Sequence, residues 1–253
     1  MLRYFKGFYM ALGMFSAIPL PRRSWDDNCK SLLLPCFPLV GAVIGGLWWG
    51  LAELIAWGRL DHLVVMAAVL ALIPFFLSGF LHLEGYMDTC DAILSRRPLE
   101  EKLRILKDPH TGAFAVITLA VLFLLQFSAM CDICFDRWDY APFAAIPVLS
   151  RCCSALAFMC LKPLPQSEYA KIYLENAKSA HRVFVIIIAV AAIMFLFWCT
   201  GFSGLVIASA VMLGYAAAMW AAYRELGGVS GDLAGFALVI SELCGLMVFT
   251  VAG

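Results

Sequence analysis

Charged side chains are scarce in this chain, since Lys, Arg, Asp and Glu make up 14% of its 253 residues while hydrophobic residues make up 63%. Soluble globular domains carry about 25% charged residues. The scarcity excludes an ordinary soluble domain and predicts a polytopic membrane protein. The formal net charge is zero, so the sequence also lacks the basic excess typical of a nucleic-acid partner, and we expect none.

Internal repeats, low-complexity tracts and a disulfide framework are missing as well. The chain therefore reads as a single domain over residues 1–253. Most of its ten cysteines fall in or near apolar segments, where Cys behaves as a small hydrophobe. Cys131 and Cys134 form a lone CxxC pair, which without a second pair is a weak zinc signal.

Long apolar segments dominate what is present, and a membrane-spanning helix needs about 20 such residues. The segment Tyr4–Pro19 is apolar but short, has basic flanks and lacks a small-residue cleavage site. We therefore expect an interfacial or half-inserted helix there instead of a signal peptide. The predicted fold class is all-α, a polytopic integral membrane protein with about seven transmembrane helices. The predicted spans are Leu33–Trp57, Leu63–Leu83, Gly112–Met130, Ala141–Leu161, Val183–Thr200, Ser203–Tyr223 and Leu233–Ala252.

The basic residues are distributed unevenly about these spans. Fifteen of the eighteen Lys and Arg residues fall on one side, Arg59 and Arg137 fall on the other, and Arg151 lies within a span. Cytoplasmic loops carry the excess of Lys and Arg, so we expect the basic side to face the cytoplasm.

Three carboxylates follow the second predicted span on this basic side. Glu84, Asp88 and Asp91 stand at i, i+4 and i+7, which places them on one face of a helix. Like charges at this spacing repel and destabilise a helix, so a cation is expected to compensate them. Oxygen ligands favour Mg²⁺, Mn²⁺ or Ca²⁺ over zinc or copper. A solvated helix end is the simpler alternative.

The polar residues that follow are candidates for binding phosphate. Arg104 and Lys107 belong to a short amphipathic segment, Ser95–Lys107, which could hold phosphates or instead attract anionic lipid. Asp108 could be a further metal ligand or a helix-start residue. His82 precedes the carboxylates on the opposite helix face from Glu84. A structural hydrogen bond explains it more simply than catalysis, and we include it among the candidate substrate-binding residues.

A glycine-rich loop, Leu226–Asp232, precedes the last predicted span. Glycines let backbone amides approach an anion, and the helix N-terminus that follows favours negative charge. A tight turn capped by Asp232 is the alternative. The candidate phosphate-binding residues of this loop are Gly227, Gly228, Ser230, Gly231 and Asp232.

Arg151 and Glu242 are the deepest charges in the predicted spans. They could pair with each other, or Arg151 could reach a bound anion. Together with the carboxylates and the glycine loop, these groups indicate metal-dependent phosphoryl or nucleotidyl-linked transfer.

On these residues the chain resembles the cobalamin synthase family, also called adenosylcobinamide-GDP ribazoletransferases. The family hallmark reads roughly G-H-L-D-G-L-x-D-T-x-D-G, and here Leu81-His-Leu-Glu-Gly-Tyr-Met-Asp-Thr-Cys-Asp-Ala92 matches it. The resemblance runs from about Phe15 to the C-terminus. Further matching segments are Phe37-Pro-Leu-Val-Gly41, Lys107-Asp-Pro-His-Thr-Gly-Ala-Phe114 and Gly227-Gly-Val-Ser-Gly-Asp232.

The resemblance implies a multi-spanning enzyme of the bacterial or archaeal inner membrane that needs Mg²⁺, with its active site facing the cytoplasm. Such an enzyme joins α-ribazole or its 5′-phosphate to adenosylcobinamide-GDP and releases GMP. On this chain Glu84, Asp88 and Asp91 would be the catalytic and metal-binding residues. Membrane lipid is an expected partner, and a homo-oligomer is left open.

Three departures from the family pattern stand out. Glu84 replaces the first aspartate, Ala92 replaces the closing glycine, and Val239 stands where the family has a glutamate. Two other functions stay open at this point. A CDP-alcohol phosphotransferase-like enzyme of phospholipid synthesis would have an A-R element after its first D-G, which this motif lacks. A transporter would place its charges at mid-membrane.

Overall fold

The computed structural model describes residues 2–21, 25–58, 62–136, 139–175 and 178–252, and these ranges are mostly helical. A short 3-10 helix, Asp27–Leu32, leads into the second α-helix. Within these ranges the only β-type pairing is an isolated parallel bridge between Pro163 and Val229, so the all-α prediction is confirmed. The helices are α1 Leu2–Phe15, α2 Leu33–Trp57, α3 Leu63–Leu77, α4 Leu81–Leu94, α5 Leu99–Ile105, α6 Ala113–Asp136, α7 Ala141–Cys160, α8 Glu168–Glu175, α9 Ser179–Thr200, α10 Phe202–Leu226 and α11 Gly231–Ala252.

Six helices are long and apolar enough to cross a membrane, namely α2, α6, α7, α9, α10 and α11. The pair α3 and α4 adds a seventh crossing if its two halves are counted as one bent span. The prediction of a polytopic protein with about seven spans is confirmed at this level. Helix α1 has 14 residues and is about 21 Å long, which is short of a bilayer core of about 30 Å.

The predicted continuous span Leu63–Leu83 is wrong, because the structure breaks it after Leu77. Helix α4 leaves α3 at an angle of 91°. Gly79 and Phe80 both have left-handed backbones, with φ of 63° and 61°. The Phe80 amide donates to the Phe75 carbonyl at 2.9 Å, closing α3 in the manner of a Schellman motif. A glycine just past the helix end is the sequence signal for this break.

Glycines allow close contact at several helix crossings, two of which bear on the site. A Cβ on Gly41 or Gly45 of α2 would lie 2.4 Å from a carbonyl oxygen of α7, those of Pro147 and Ala144 respectively. Membrane helices associate through such close backbone contacts because the lipid gives them little hydrophobic driving force. This crossing of α2 and α7 forms the centre of the bundle.

The second close contact joins α4 to α11. A Cβ on Gly85 would lie 2.8 Å from the Asp232 backbone, and one on Gly235 would lie 3.0 Å from the His82 carbonyl oxygen. Beside these glycines the Tyr86 ring stacks on a phenylalanine of α11, with 5.8 Å between centroids. The contact brings the acidic motif of α4 next to the start of α11.

Candidate active site

A cavity of about 560 Å³ lies where α4 meets α11, lined also by the end of α1, the start of α2 and the end of α7. These helix ends all belong to the side on which the Lys and Arg residues of the sequence cluster. Its polar wall contains Glu84 and Asp88 from α4, Asp232 from α11, and Lys107. The predicted acidic motif and the end of the glycine loop therefore share one cavity.

The three cavity carboxylates oppose one another without an ion-pair partner. Asp88 is repelled by the carboxylates of Asp232 and Glu84, and Asp232 is repelled by that of Glu84. Within the described part of the chain, no Lys, Arg or His forms a salt bridge with any of the three. Asp88 and Asp232 are half-buried, so solvent screens this repulsion only in part. A cation bound beside these carboxylates would reduce their repulsion.

Asp91, the third member of the predicted stripe, faces a different neighbour. A Cβ on Gly112 would lie 1.9 Å from Asp91 Oδ2, and Asp91 Oδ1 accepts a long hydrogen bond of 3.4 Å from the Ala115 amide. Its carboxylate thus sits against the N-terminus of α6, where negative charge is stabilised. It does not line the large cavity.

Glu84 and Asp88 are the side chains that could hold a divalent cation such as Mg²⁺, together with further ligands from outside the chain. No three His, Cys, Asp or Glu side chains among the described residues are grouped closely enough to hold a metal alone. Mg²⁺ is usually bound by one or two carboxylates together with water and substrate phosphates. Glu84 and Asp88 supply such oxygen ligands, and a diphosphate in the cavity would supply the remainder.

A second cavity of about 390 Å³ shares Glu84 and Asp88 with the first, so these two side chains form the wall between them. Asp108 lies at the edge of this smaller cavity. Its Oδ1 accepts a hydrogen bond of 2.9 Å from the His110 amide, which holds the pKa of the Asp108 carboxyl below its usual range. Asp108 therefore stabilises a turn before α6 and does not begin that helix.

Of the basic residues in this segment, one lies at the cavity and two others form ion pairs with glutamates. Lys107 lines the large cavity. Arg104 is largely exposed and donates to Glu101 at 2.7 Å, so the structure does not bring it to the cavity. Lys102 is buried and binds Glu225, which fastens α5 to the end of α10.

The glycine loop divides into a structural half and a half that faces the cavity. Gly227 ends α10 with a left-handed φ of 84°. A Cβ on Gly228 would lie 2.7 Å from the Leu164 amide nitrogen, so this glycine accommodates a neighbouring backbone and not an anion. Gly231 is exposed, has open space beside it and lines the cavity at the start of α11. Ser230 Oγ accepts a hydrogen bond of 3.4 Å from the Leu233 amide and caps this helix.

Arg151 forms an ion pair with Glu242. The sequence had left open whether Arg151 pairs with Glu242 or reaches a bound anion. Its Nη1 donates to Glu242 Oε1 at 2.7 Å, and Ser150 Oγ donates to the same oxygen at 2.8 Å. Arg151 is 1% exposed and does not line the cavity. It lies behind Phe37, whose ring centroid is 5.6 Å from the guanidinium carbon.

His82, a candidate substrate-binding residue, lines the cavity together with aromatic side chains that were not among the candidates. His82 shares the cavity wall with Glu84 despite their opposite positions around α4. Phe15, Phe37 and Phe158 lie in the same wall, from three different helices. Of these three phenylalanines, only Phe37 belongs to a segment that matches the family pattern, Phe37–Gly41, so only this residue had a sequence signal.

The fold and the site define a polytopic membrane protein with an acidic cavity at the ends of its helices. The chain belongs to the cobalamin-5-phosphate synthase family, whose sequence pattern matches residues 7–250. It is therefore an enzyme of the transferase class.

Several relatives carry the name adenosylcobinamide-GDP ribazoletransferase. A Clostridium botulinum protein (strain Eklund 17B) is 37% identical over 249 residues, covering 97% of each chain. A Lachnoclostridium phytofermentans protein is 32% identical over all of this chain and 96% of its own length. One from Geobacillus kaustophilus is 30% identical, covering 93% of this chain and 91% of its own. No solved structure matches the chain.

Proposed function

We propose that this protein transfers the cobinamide-phosphate part of adenosylcobinamide-GDP to α-ribazole or its 5′-phosphate, as the names of its relatives indicate. The ribose 3′-hydroxyl attacks the phosphorus on the cobinamide side of the diphosphate. A new P–O bond forms to the ribose, the P–O bond to the guanosine-side phosphate breaks, and GMP leaves. The hydroxyl proton passes to a carboxylate of the cavity.

The observation that carries this proposal is the opposition of Glu84, Asp88 and Asp232 in one cavity without a cationic partner among the described side chains. Phosphoryl transfer depends mainly on positioning the reactants and on neutralising phosphate charge. Lys107 at the cavity wall and the backbone of Gly231 at the start of α11 are placed to bind the diphosphate.

Mg²⁺ would be held by Glu84 and Asp88, with the diphosphate completing its ligands. When bound, it would neutralise the charge on the transferring phosphoryl group. The sequence placed Asp91 third in this set, but the geometry favours Asp232, which lines the cavity while Asp91 contacts α6. We keep Asp91 in the proposal as the residue that positions α6 against α4.

The site is proposed to face the cytoplasm of a bacterial or archaeal cell, because the basic residues cluster at its end of the helices. Both substrates are large and polar and would reach it without crossing the hydrocarbon. The family match disfavours the phospholipid-synthesis and transporter alternatives.

Purified protein in lipid nanodiscs tests the proposal directly. With adenosylcobinamide-GDP and α-ribazole we expect stoichiometric GMP and a cobalamin product, and we expect chelation of Mg²⁺ to stop both. Asp88→Asn serves as the inactive control. Release of CMP from a CDP-activated lipid, with no GMP from the corrinoid, would overturn the assignment.

A further inference from the structure

Part of the wall of the large cavity is apolar, and this part is called its apolar side. Phe15 and Phe37 contact each other there, with 4.5 Å between ring centroids, and Phe158 packs edge-on against Tyr173 at 6.1 Å. Leu34 completes this part of the wall. A flat, weakly polar ring system would bury its faces against these side chains and lose little hydrogen bonding with water.

Two buried polar atoms of this wall lack a hydrogen-bond partner among the described residues, Nε2 of Gln166 and Nε2 of His82. His82 is 8% exposed, and its Nε2 makes no hydrogen bond within the described part of the chain. Its ring lies 5.6 Å from that of Phe37, beside the apolar side of the cavity. An unsatisfied buried polar nitrogen is unfavourable, so a ligand that supplies its partner gains from it.

Two carboxylates also lie between two cavities. Glu84 and Asp88 line both the large cavity and the smaller one. In phosphoryl transfer the attacking and leaving oxygens lie roughly in line on opposite sides of the phosphorus. An acceptor in the large cavity would leave the other side of this wall to the departing nucleotide.

We propose that the apolar side of the large cavity binds the base of the acceptor nucleoside, with His82 Nε2–H donating to its free ring nitrogen. The assignment rests on the proposed function, which makes α-ribazole the acceptor. The dimethylbenzimidazole base of α-ribazole has two flat apolar faces and a single free ring nitrogen, so one donor satisfies it. Guanine carries several donors and acceptors, and apolar walls would leave most of them unpaired.

The aromatic part of this assignment is tested with Phe158→Ala. A matched control is Phe195→Ala, since Phe195 is also half-buried and has one edge-on aromatic contact, to Trp49 at 5.9 Å. Loss of stacking should raise the KM for α-ribazole about tenfold, while the KM for adenosylcobinamide-GDP stays within about twofold. Phe195→Ala should change neither KM. A rise confined to the GDP-bearing substrate would overturn the proposal.

The hydrogen bond is tested by changing both of its partners. His82→Phe keeps a flat buried ring and removes the donor, and an α-ribonucleoside of dimethylindole replaces the free ring nitrogen by CH. Binding of both nucleosides is measured by equilibrium dialysis with radiolabelled ligand. The wild-type protein should prefer α-ribazole about tenfold, and His82→Phe should bind the two equally. An undiminished preference in the variant, or equal binding by the wild-type protein, would overturn the contact.

The dialysis measurement needs no turnover, which keeps this inference separable from the proposed function. If the protein binds α-ribazole as described but releases no GMP, the reaction assignment fails and the binding site stands. If it releases GMP while the Phe158→Ala and His82→Phe variants bind α-ribazole like the wild type, the reaction stands and the binding site is wrong.

Discussion

Gly85 lies directly against Asp232, so that a Cβ at residue 85 would come within 2.8 Å of the Asp232 backbone. One residue from Gly85 is Glu84, and one turn beyond Glu84 is Asp88. The glycine therefore determines how closely two carboxylates of α4 approach the third on α11. The middle glycine of the acidic motif is a packing residue that serves the chemistry of its neighbours.

Gly85→Ala should separate α4 from α11 and lower turnover by about tenfold or more, because a misplacement of about 1 Å can cost about a hundredfold. The kcat for GMP release is the measurement, together with the thermal midpoint. Gly46→Ala is the matched control, since a Cβ there meets nothing within 4 Å. It should keep full activity and stabilise α2 by about 0.5–1 kcal/mol. Equal activities of the two variants would contradict the packing role.

Asp88→Asn and Asp232→Asn should each lower kcat by about 100-fold or more, because the charge developing on the phosphoryl group loses its compensation. Glu84→Asp should retain more activity than Glu84→Gln, since the charge survives in the former. When Mg²⁺ is titrated and GMP release is measured, Glu84→Asp should need a higher Mg²⁺ concentration for half-maximal activity, because its shorter side chain binds the ion less tightly. Wild-type rates in all the carboxamide variants would remove the metal site from the proposal.

Asp91→Asn should lower kcat less than Asp88→Asn does. Its side-chain oxygen can still accept the hydrogen bond from the Ala115 amide, so the contact with α6 survives in part. Asp91→Ala removes that oxygen and should destabilise the protein by about 0.5–2 kcal/mol, as the loss of a helix cap does. Thermal unfolding and GMP release are measured on the same samples. A loss of turnover as large as that of Asp88→Asn, with unchanged stability, would return Asp91 to a direct catalytic role.

Glu242→Gln should destabilise the protein by about 3–5 kcal/mol, because the buried Arg151 charge loses its partner. A double variant, Arg151→Met with Glu242→Leu, should recover most of that loss since no charge stays unpaired. Thermal unfolding in nanodiscs of Arg151→Met, of Glu242→Leu and of the double variant measures the coupling. Additive losses would show that the pair does not act as a unit.

Arg97→Cys and His62→Cys, introduced into a variant without native cysteines, should be labelled from opposite faces of the membrane. The expectation follows from the uneven distribution of Lys and Arg and from the exposed position of both residues. A membrane-impermeant maleimide applied to inside-out and right-side-out vesicles makes the comparison. Labelling of both positions from one face would contradict the topology.

The sequence predicted most of the span boundaries to within a few residues, because a helix that crosses a bilayer needs about 20 consecutive apolar residues. Helix α2 has the predicted limits, Leu33 and Trp57, and α7 ends one residue earlier than predicted. The break at Gly79 was missed because hydropathy does not distinguish a straight helix from a bent one. The glycine itself was the available signal.

The sequence predicted only the part of the candidate site that lies on a single helix. Helical spacing placed Glu84 and Asp88 on one face, and both line the cavity. The same spacing included Asp91, but it carries no information on which neighbouring helix each side chain meets. Asp232 joins the acidic group, and Gly228 contacts Leu164, through tertiary contacts that no local pattern encodes.

The early end of α3 has a consequence for the depth of the site. With 15 residues the helix is about 22 Å long, several ångströms less than a hydrocarbon core of about 30 Å. A bilayer must thin around such a short helix or leave its turn below the headgroups. In the second case the right-angled start of α4 would place the carboxylates in a recess beneath the membrane surface, and the activity of the enzyme would then depend on the hydrophobic thickness of the bilayer. Nanodiscs of short-chain lipids would bring this recess closer to bulk water than those of long-chain lipids.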